Sequence, residues 1–188
     1  MQAIVILGSR NPDGQTARAA DALLQGVVAK GGQGEQIFLP QINIERCRQC
    51  EDYPKQDGWG ICRTEGQCVI EDDFASVVDK IRDADAVAFA TPVYFSDLSE
   101  SMRAFLDRLR RICMHEAGQT GILGKVAIGI CVAGGSGGGA PSCVVSLEKI
   151  VGRCGFDVVD LIPARRQNLE MKCSILKMTG EWLATLGS

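Results

Sequence analysis

Ala3-Ile4-Val5-Ile6-Leu7-Gly8-Ser9-Arg10-Asn11-Pro12-Asp13-Gly14-Gln15-Thr16 is the stretch on which the fold turns. It begins with an unbroken apolar, largely β-branched run, the pattern of a strand buried on both faces. Gly8 ends the run, and a short polar loop leads into Ala20, Leu23, Leu24, Val27 and Val28 at helical spacing. Lys30-Gly31-Gly32 closes that helix with a cation and glycines. A doubly covered strand followed at once by a helix is the opening of a parallel sheet.

The alternation continues outward from this unit. Gln36-Ile37-Phe38-Leu39 reads as a second strand stopped by Pro40, and a loop of about thirty residues follows, a length that suggests use. Asp72 or Asp73 caps a helix carrying Phe74, Val77, Val78 and Ile81. Ala86 to Ala90 forms a third strand, halted at Thr91-Pro92, and Leu98, Met102, Phe105, Leu106, Leu109 and Ile112 mark a long helix. Lys125 to Val132 is a fourth strand, with a run of small residues, Ala133 to Gly139, behind it. Pro141 opens a helix ending near Gly152, Asp157 to Ile162 is the last strand, and 168–186 is a closing helix. Five strands alternating with five helices predict a doubly wound α/β parallel sheet, helices on both faces, formed by one domain over 1–188.

Bulk properties exclude several classes. A net charge of −3 argues against nucleic acid or an anionic membrane as partner. No apolar run approaches the roughly 20 residues of a membrane span. The run Ala3 to Leu7 is too short, and too uncharged at its start, for a signal peptide. The expectation is a soluble, cytoplasmic protein.

Ligands of such a sheet sit beyond the carboxyl ends of the strands. The loop after the first strand offers backbone N–H groups, two hydroxyls, a guanidinium and a helix N-terminus, which together make a phosphate cradle. Gln15 stands where an ATP-binding loop needs its lysine, so ATP chemistry is disfavoured. The loop after the third strand, Thr91-Pro92-Val93-Tyr94-Phe95-Ser96, carries adjacent aromatics, which either face a planar ring or pack beneath the loop. Behind the fourth strand, Gly135-Ser136-Gly137-Gly138-Gly139-Ala140 matches a dinucleotide fingerprint, but only one strand remains after it. The three loops together point to a phosphorylated planar cofactor.

These stretches, with Cys62 to Asp73 and Met102-x-x-Phe105-x-Asp107-Arg108, resemble the NADPH-dependent FMN reductase family of flavodoxin-like proteins, including its iron–sulfur flavoprotein branch. The resemblance implies a sheet order 2-1-3-4-5 and an FMN-dependent oxidoreductase. Electrons would come from NAD(P)H or a redox protein and pass to an unspecified acceptor, and the assembly would be a homo-oligomer, a dimer or tetramer. It further implies that Ser9, Arg10, Gln15 and Thr16 hold the FMN phosphate and ribityl chain. Pro92, Val93, Tyr94 and Phe95 would line the isoalloxazine, with Gly134, Gly135 and Ser136 at its other edge. No protein nucleophile or general base is implied, because the flavin carries the chemistry. Asp107 and Arg108 are either a ligand-related pair or a structural or interface ion pair. A non-enzymatic binding or regulatory protein on the same fold is the alternative from another class.

Nine cysteines remain to be placed. Cys113, Cys131, Cys143, Cys154 and Cys173 are scattered and read as small buried hydrophobes. Cys47, Cys50, Cys62 and Cys68 crowd a cysteine-rich insertion loop at about 40–71, and they are the candidate metal ligands. The iron–sulfur branch has a compact motif for a 4Fe–4S cluster. Here Tyr53 occupies the expected third position, and Cys62 follows an insertion containing Pro54, Gly58, Trp59 and Gly60. The longer loop adds on the order of 1.5 kcal/mol of closure entropy. A cluster, zinc, a redox dithiol and four free thiols all stay open. His115 reads as a solvated residue near a helix end, and Trp59 and Trp182 as packing or, alternatively, partner contacts.

Overall fold

The computed structural model describes residues 1–50 and 60–186. The elements, in order, are β1 (Gln2–Leu7), α1 (Gln15–Ala29), β2 (Gln33–Phe38), α2 (Ile61–Thr64), α3 (Phe74–Asp83), β3 (Ala86–Pro92) and α4 (Glu100–Ile112). They continue with α5 (Glu116–Gln119), β4 (Val126–Ala133), α6 (Ala140–Arg153), β5 (Asp157–Arg165) and α7 (Leu169–Leu186). The five strands form one sheet in the order β2-β1-β3-β4-β5, with every neighbouring pair parallel. This is the flavodoxin-like order expected from the sequence.

Alternation along the strands divides the interior in two. Ile4, Ile6, Val87 and Phe89 face a core completed by α3, α4 and α6. Ala3, Val5, Leu7, Ala86, Ala88 and Ala90 face the other core, built with α1 and α7. A parallel sheet buried on both faces needs apolar residues at successive positions, which is why β1 and β3 read as continuous runs. The alanines of β3 are short enough to let α1 lie close to the sheet.

Boundaries moved where local chemistry competed with the apolar pattern. β2 starts at Gln33 because pairing with β1 recruits polar residues at this sheet edge. It stops at Phe38, where Leu39–Gln41 turns into a 3-10 segment around Pro40. β5 runs on to Arg165, beyond the apolar stretch, because its backbone stays paired with β4 as far as Ala133. Two one-turn helices, α2 and α5, sit inside connections. His115 is the N-cap of α5, its Nδ1 accepting from Ala117 N at 3.2 Å, so it is a cap rather than merely solvated. Cys113, Cys131, Cys143 and Cys154 are buried as expected, but Cys173 is only partly so. Tyr53, Pro54, Gly58 and Trp59 lie outside the described residues.

The α1–α7 contact is held at backbone distance by two glycines. A β-carbon on Gly180 would lie 2.0 Å from Leu23 O, and one on Gly26 would lie 2.0 Å from Lys177 O. Neither acceptor is a side chain that could swing away. The Gly180→Ala variant is therefore expected to lose about 1–3 kcal/mol by forcing the helices apart. Urea unfolding followed by circular dichroism measures this, and an unchanged midpoint would contradict the close crossing.

Candidate functional site

The loops after β1, β3 and β4 enclose one cavity of about 650 Å³ at the carboxyl end of the sheet. Ser9, Gln15, Thr16, Pro92, Val93, Tyr94, Phe95, Gly134, Gly135 and Ser136 all border it. Arg10 does not; it is exposed, and its carbonyl accepts from Gln41 Nε2 at 3.3 Å. Asn11, Gly14, Ser96, Val132, Ala133 and Gly138 complete the wall. Their signal in the sequence is only proximity: Asn11, Gly14, Ser96 and Ala133 adjoin predicted site residues, and Val132 and Gly138 lie two positions away.

The N-terminus of α1 is bare. Its N-cap is Gly14, which brings no side chain to accept from the first-turn amides, and no acidic residue stands in that turn. The first intrahelical donor is Arg18 N, bonding Gly14 O at 2.9 Å. The amides of Gln15, Thr16 and Ala17 are therefore left with no acceptor in the helix. An anion there gains their hydrogen bonds and about 0.3–1 kcal/mol from the helix dipole, more when partly buried. Gln15 Oε1 is buried with no hydrogen-bond partner among the described residues. A buried polar atom in that state costs energy unless a ligand satisfies it. Turning the amide over would present a donor at the same place.

The wall after β3 is strained. Tyr94 and Asp97 exchange backbone hydrogen bonds of 2.9 and 3.0 Å, so Phe95 and Ser96 form the centre of a tight turn. Both have left-handed backbones, with φ of 51° and 65°, a conformation that suits glycine or asparagine. Strain of about 1–3 kcal/mol per residue is retained at such positions when the conformation serves a site. The turn leaves the Phe95 ring fully exposed at the cavity mouth. Opposite it, Gly134 and Gly135 have open space where a β-carbon would stand, and Gly135 has φ of 50°. A flat ligand can approach this backbone closely.

The second candidate site lies along α4. Cys47, Cys50, Cys62 and Cys68 border one small cavity of about 20 Å³, with Arg108 and Arg111 in its wall. Burial, reinforced by the neighbouring sulfurs, pushes the Cys50 thiol upward. Burial does the same to Cys62, in spite of Arg111. The free space admits a water molecule at most, so the thiols would have to spread around anything larger. Among the described residues, no group of three or more His, Cys, Asp or Glu side chains is placed to hold a metal ion. The donor set is right for soft metal chemistry, but the geometry is not that of a formed metal centre.

What gathers these sulfurs is a buried ion pair. Arg108 and Asp72 are 1% and 0% exposed, and Arg108 donates from Nη1 and Nη2 to the two carboxylate oxygens at 2.5 and 2.9 Å. Arg108 Nη1 also donates to Glu45 O at 3.1 Å, and Asp72 Oδ2 accepts from Glu45 N at 2.8 Å. The guanidinium lies 4.1 Å from the centre of the Phe74 ring. One step further out, Asn43 and Asp73 exchange bonds of 2.7 and 3.0 Å. The neck of the cysteine loop is thus zipped shut on both sides. Asp107 and Arg108 do not pair with each other; Asp107 accepts from Arg110 Nε at 2.9 Å.

A doubly wound parallel sheet in the order 2-1-3-4-5, with a cavity at its carboxyl edge, is the flavodoxin-like architecture. The chain belongs to the NADPH-dependent FMN reductase family, whose model matches residues 1–161. It is similar to an iron–sulfur flavoprotein of Methanocaldococcus jannaschii, 29% identical over 135 residues, covering 72% of this chain and 65% of the relative. It is also similar to an iron–sulfur flavoprotein of Archaeoglobus fulgidus, 30% identical over 109 residues, covering 58% of this chain and 46% of that protein. The chain thus matches two thirds or less of the length of these two relatives. An archaeal flavodoxin structure superimposes with a TM-score of 0.62 at 17% identity, over 99% of this chain and 98% of its own. That likeness establishes the fold.

Burial opposes the charge on Asp72, but Arg108 and the amides of Glu45 and Phe74 outweigh it and hold the carboxyl below its ordinary value. A depressed folded pKa contributes stability that is complete above the unfolded carboxylate range of about 4 and is lost as pH falls through the folded value. Arg108→Met would leave Asp72 buried without its counter-charge and is expected to cost about 3–5 kcal/mol at neutral pH. The difference from the unsubstituted protein should narrow on acidification, as protonation relieves the orphaned carboxylate. Urea unfolding at several pH values tests both points, and a pH-independent difference would contradict the assignment.

Proposed function

We propose that the protein is an FMN-dependent oxidoreductase, with the FMN phosphate at the N-terminus of α1 and the isoalloxazine between the β3 and β4 loops. The observation that carries this reading is that three separate loops, each following a strand, converge on one cavity in a chain of this family. Ser9 and Thr16 supply hydroxyls and Gln15 its buried amide, while the first-turn amides of α1 neutralise the phosphate charge. Pro92 and Val93 form a stiff floor, and Tyr94 and Phe95 flank the ring at the mouth. When bound, FMN supplies the hydride- and electron-accepting centre. The chain's own residues bind, orient and shield it, and no side chain is required as acid, base or nucleophile. NAD(P)H or a redox protein is the electron donor, reaching the ring from the open side.

The protein should bind FMN more tightly than riboflavin, because the cradle is built for a phosphate. Thr16→Ala should weaken FMN by about 0.5–1.5 kcal/mol, a two- to twelvefold rise in Kd, without affecting riboflavin. Fluorescence titration separates the two ligands, and equal losses for both would remove the cradle from this loop. NAD(P)H oxidation by the FMN-loaded protein then tests turnover, and a protein that binds FMN without oxidising NAD(P)H would be an electron carrier or a regulatory binder.

A second reading is supported by the four thiols meeting at one cavity: an iron–sulfur flavoprotein with a 4Fe–4S cluster held by Cys47, Cys50, Cys62 and Cys68. When bound, such a cluster supplies a one-electron relay. The chain contributes the thiols and two arginines to offset their charge. From Ser99, which caps α4 beside the cavity of the flavin loops, to Arg108 is about 14 Å along the helix axis. Anaerobically prepared protein should contain iron and sulfide, and each of the four Cys→Ser variants should lose both while retaining FMN. Bound zinc, or four free thiols in anaerobic protein, would overturn the cluster.

A further inference from the structure

α7 packs on α1 through Leu176, Gly180 and Leu183, which are buried, yet the helix is apolar on its opposite side as well. Met171, Ile175, Met178, Trp182 and Leu186 recur at intervals of three or four residues. Their exposures run from 37% at Ile175 to 69% at Met178. Five large side chains so exposed leave on the order of 500 Å² of continuous apolar surface, at the upper end of what a monomer shows and commonly a functional surface. Trp182, read from the sequence as packing or a partner contact, is left 44% exposed by the described residues.

We propose that this stripe is a twofold interface at which α7 lies antiparallel against α7 of a second copy of the chain. The stripe matches itself when reversed. With the axis between Met178 and Thr179, Met171 faces Leu186 of the partner subunit, Ile175 faces Trp182 of the partner subunit, and Met178 lies beside its own copy. A twofold perpendicular to the helices brings the same flank of each together. Joining two stripes removes about 1,000 Å² from water, the lower bound of a specific interface. An anionic membrane is the poorer occupant, because Glu170 and Glu181 balance Lys172 and Lys177 and leave no basic excess on the helix.

The interface is independent of any bound cofactor and is tested on the protein as purified. Met178→Glu places two carboxylates across the axis without touching the core, so its thermal unfolding and FMN binding serve as controls for folding. Light scattering or sedimentation at micromolar concentration should show the mass of the assembly halved by this substitution. Met178→Cys should cross-link to its own copy under mild oxidation, above the background of the native cysteines, whereas Met171→Cys should not. A mass unchanged by Met178→Glu, whether monomeric or larger, would overturn the proposal. Equal cross-linking of the two cysteine variants would do the same, because it would remove the antiparallel register.

Discussion

The buried Arg108–Asp72 pair is the constraint on which the placement of the cysteine loop depends. Two charges withdrawn from water carry a desolvation cost of several kcal/mol each, which geometry and further hydrogen bonds must offset. Here the offset is a two-pronged contact, two backbone bonds to Glu45 and an aromatic ring beneath the guanidinium. Every one of these contacts joins segments distant in sequence. α4 is tied to both ends of the cysteine loop, and the two ends are tied to each other. The pair therefore fixes where the loop begins and ends, and Cys47 and Cys68 follow just inside that closure.

Closing the neck also changes the energetics of what the loop can hold. A long loop brought together only by its ligand would charge the full closure entropy against binding. With the ends joined by the ion pair and the Asn43–Asp73 contacts, the remaining cost is that of ordering the interior. Cys50 and Cys62, with raised thiol pKa values, favour the neutral thiol until something soft and cationic draws them into the thiolate form. The four sulfurs are thus gathered, and at Cys50 and Cys62 burial disfavours the thiolate. The flavin loops are organised by a different device, the bare start of α1 and a strained turn at Phe95 and Ser96, so the two sites share α4 but not their supports.

The two faces of the sheet serve different ends. On the side of α3, α4 and α6, the core supports both candidate sites, and its polar features are buried in order to position loops. On the other side α7 closes the core over α1 through glycine contacts and leaves its outer stripe uncovered. A helix apolar on two opposite faces is suited to lie between two hydrophobic surfaces. One of them is supplied by this chain.

The sequence by itself determined the order of strands and helices, the parallel sheet and the three loops that wall the cavity. These depend on periodicity and on local turn chemistry, which neighbouring residues specify. Ser9, Gln15, Thr16 and the residues of the β3 and β4 loops were legible because each loop follows its strand directly, and parallel strands end at one edge. Arg10 stands outside the cavity wall because the direction of a side chain on an irregular loop depends on its surroundings rather than on its position in the chain. The partner of Arg108, the cap at His115, the close α1–α7 crossing and the exposure of Trp182 were decided only by tertiary structure. Each depends on which segments meet across the fold, and a one-dimensional pattern states that a face is apolar without stating what covers it.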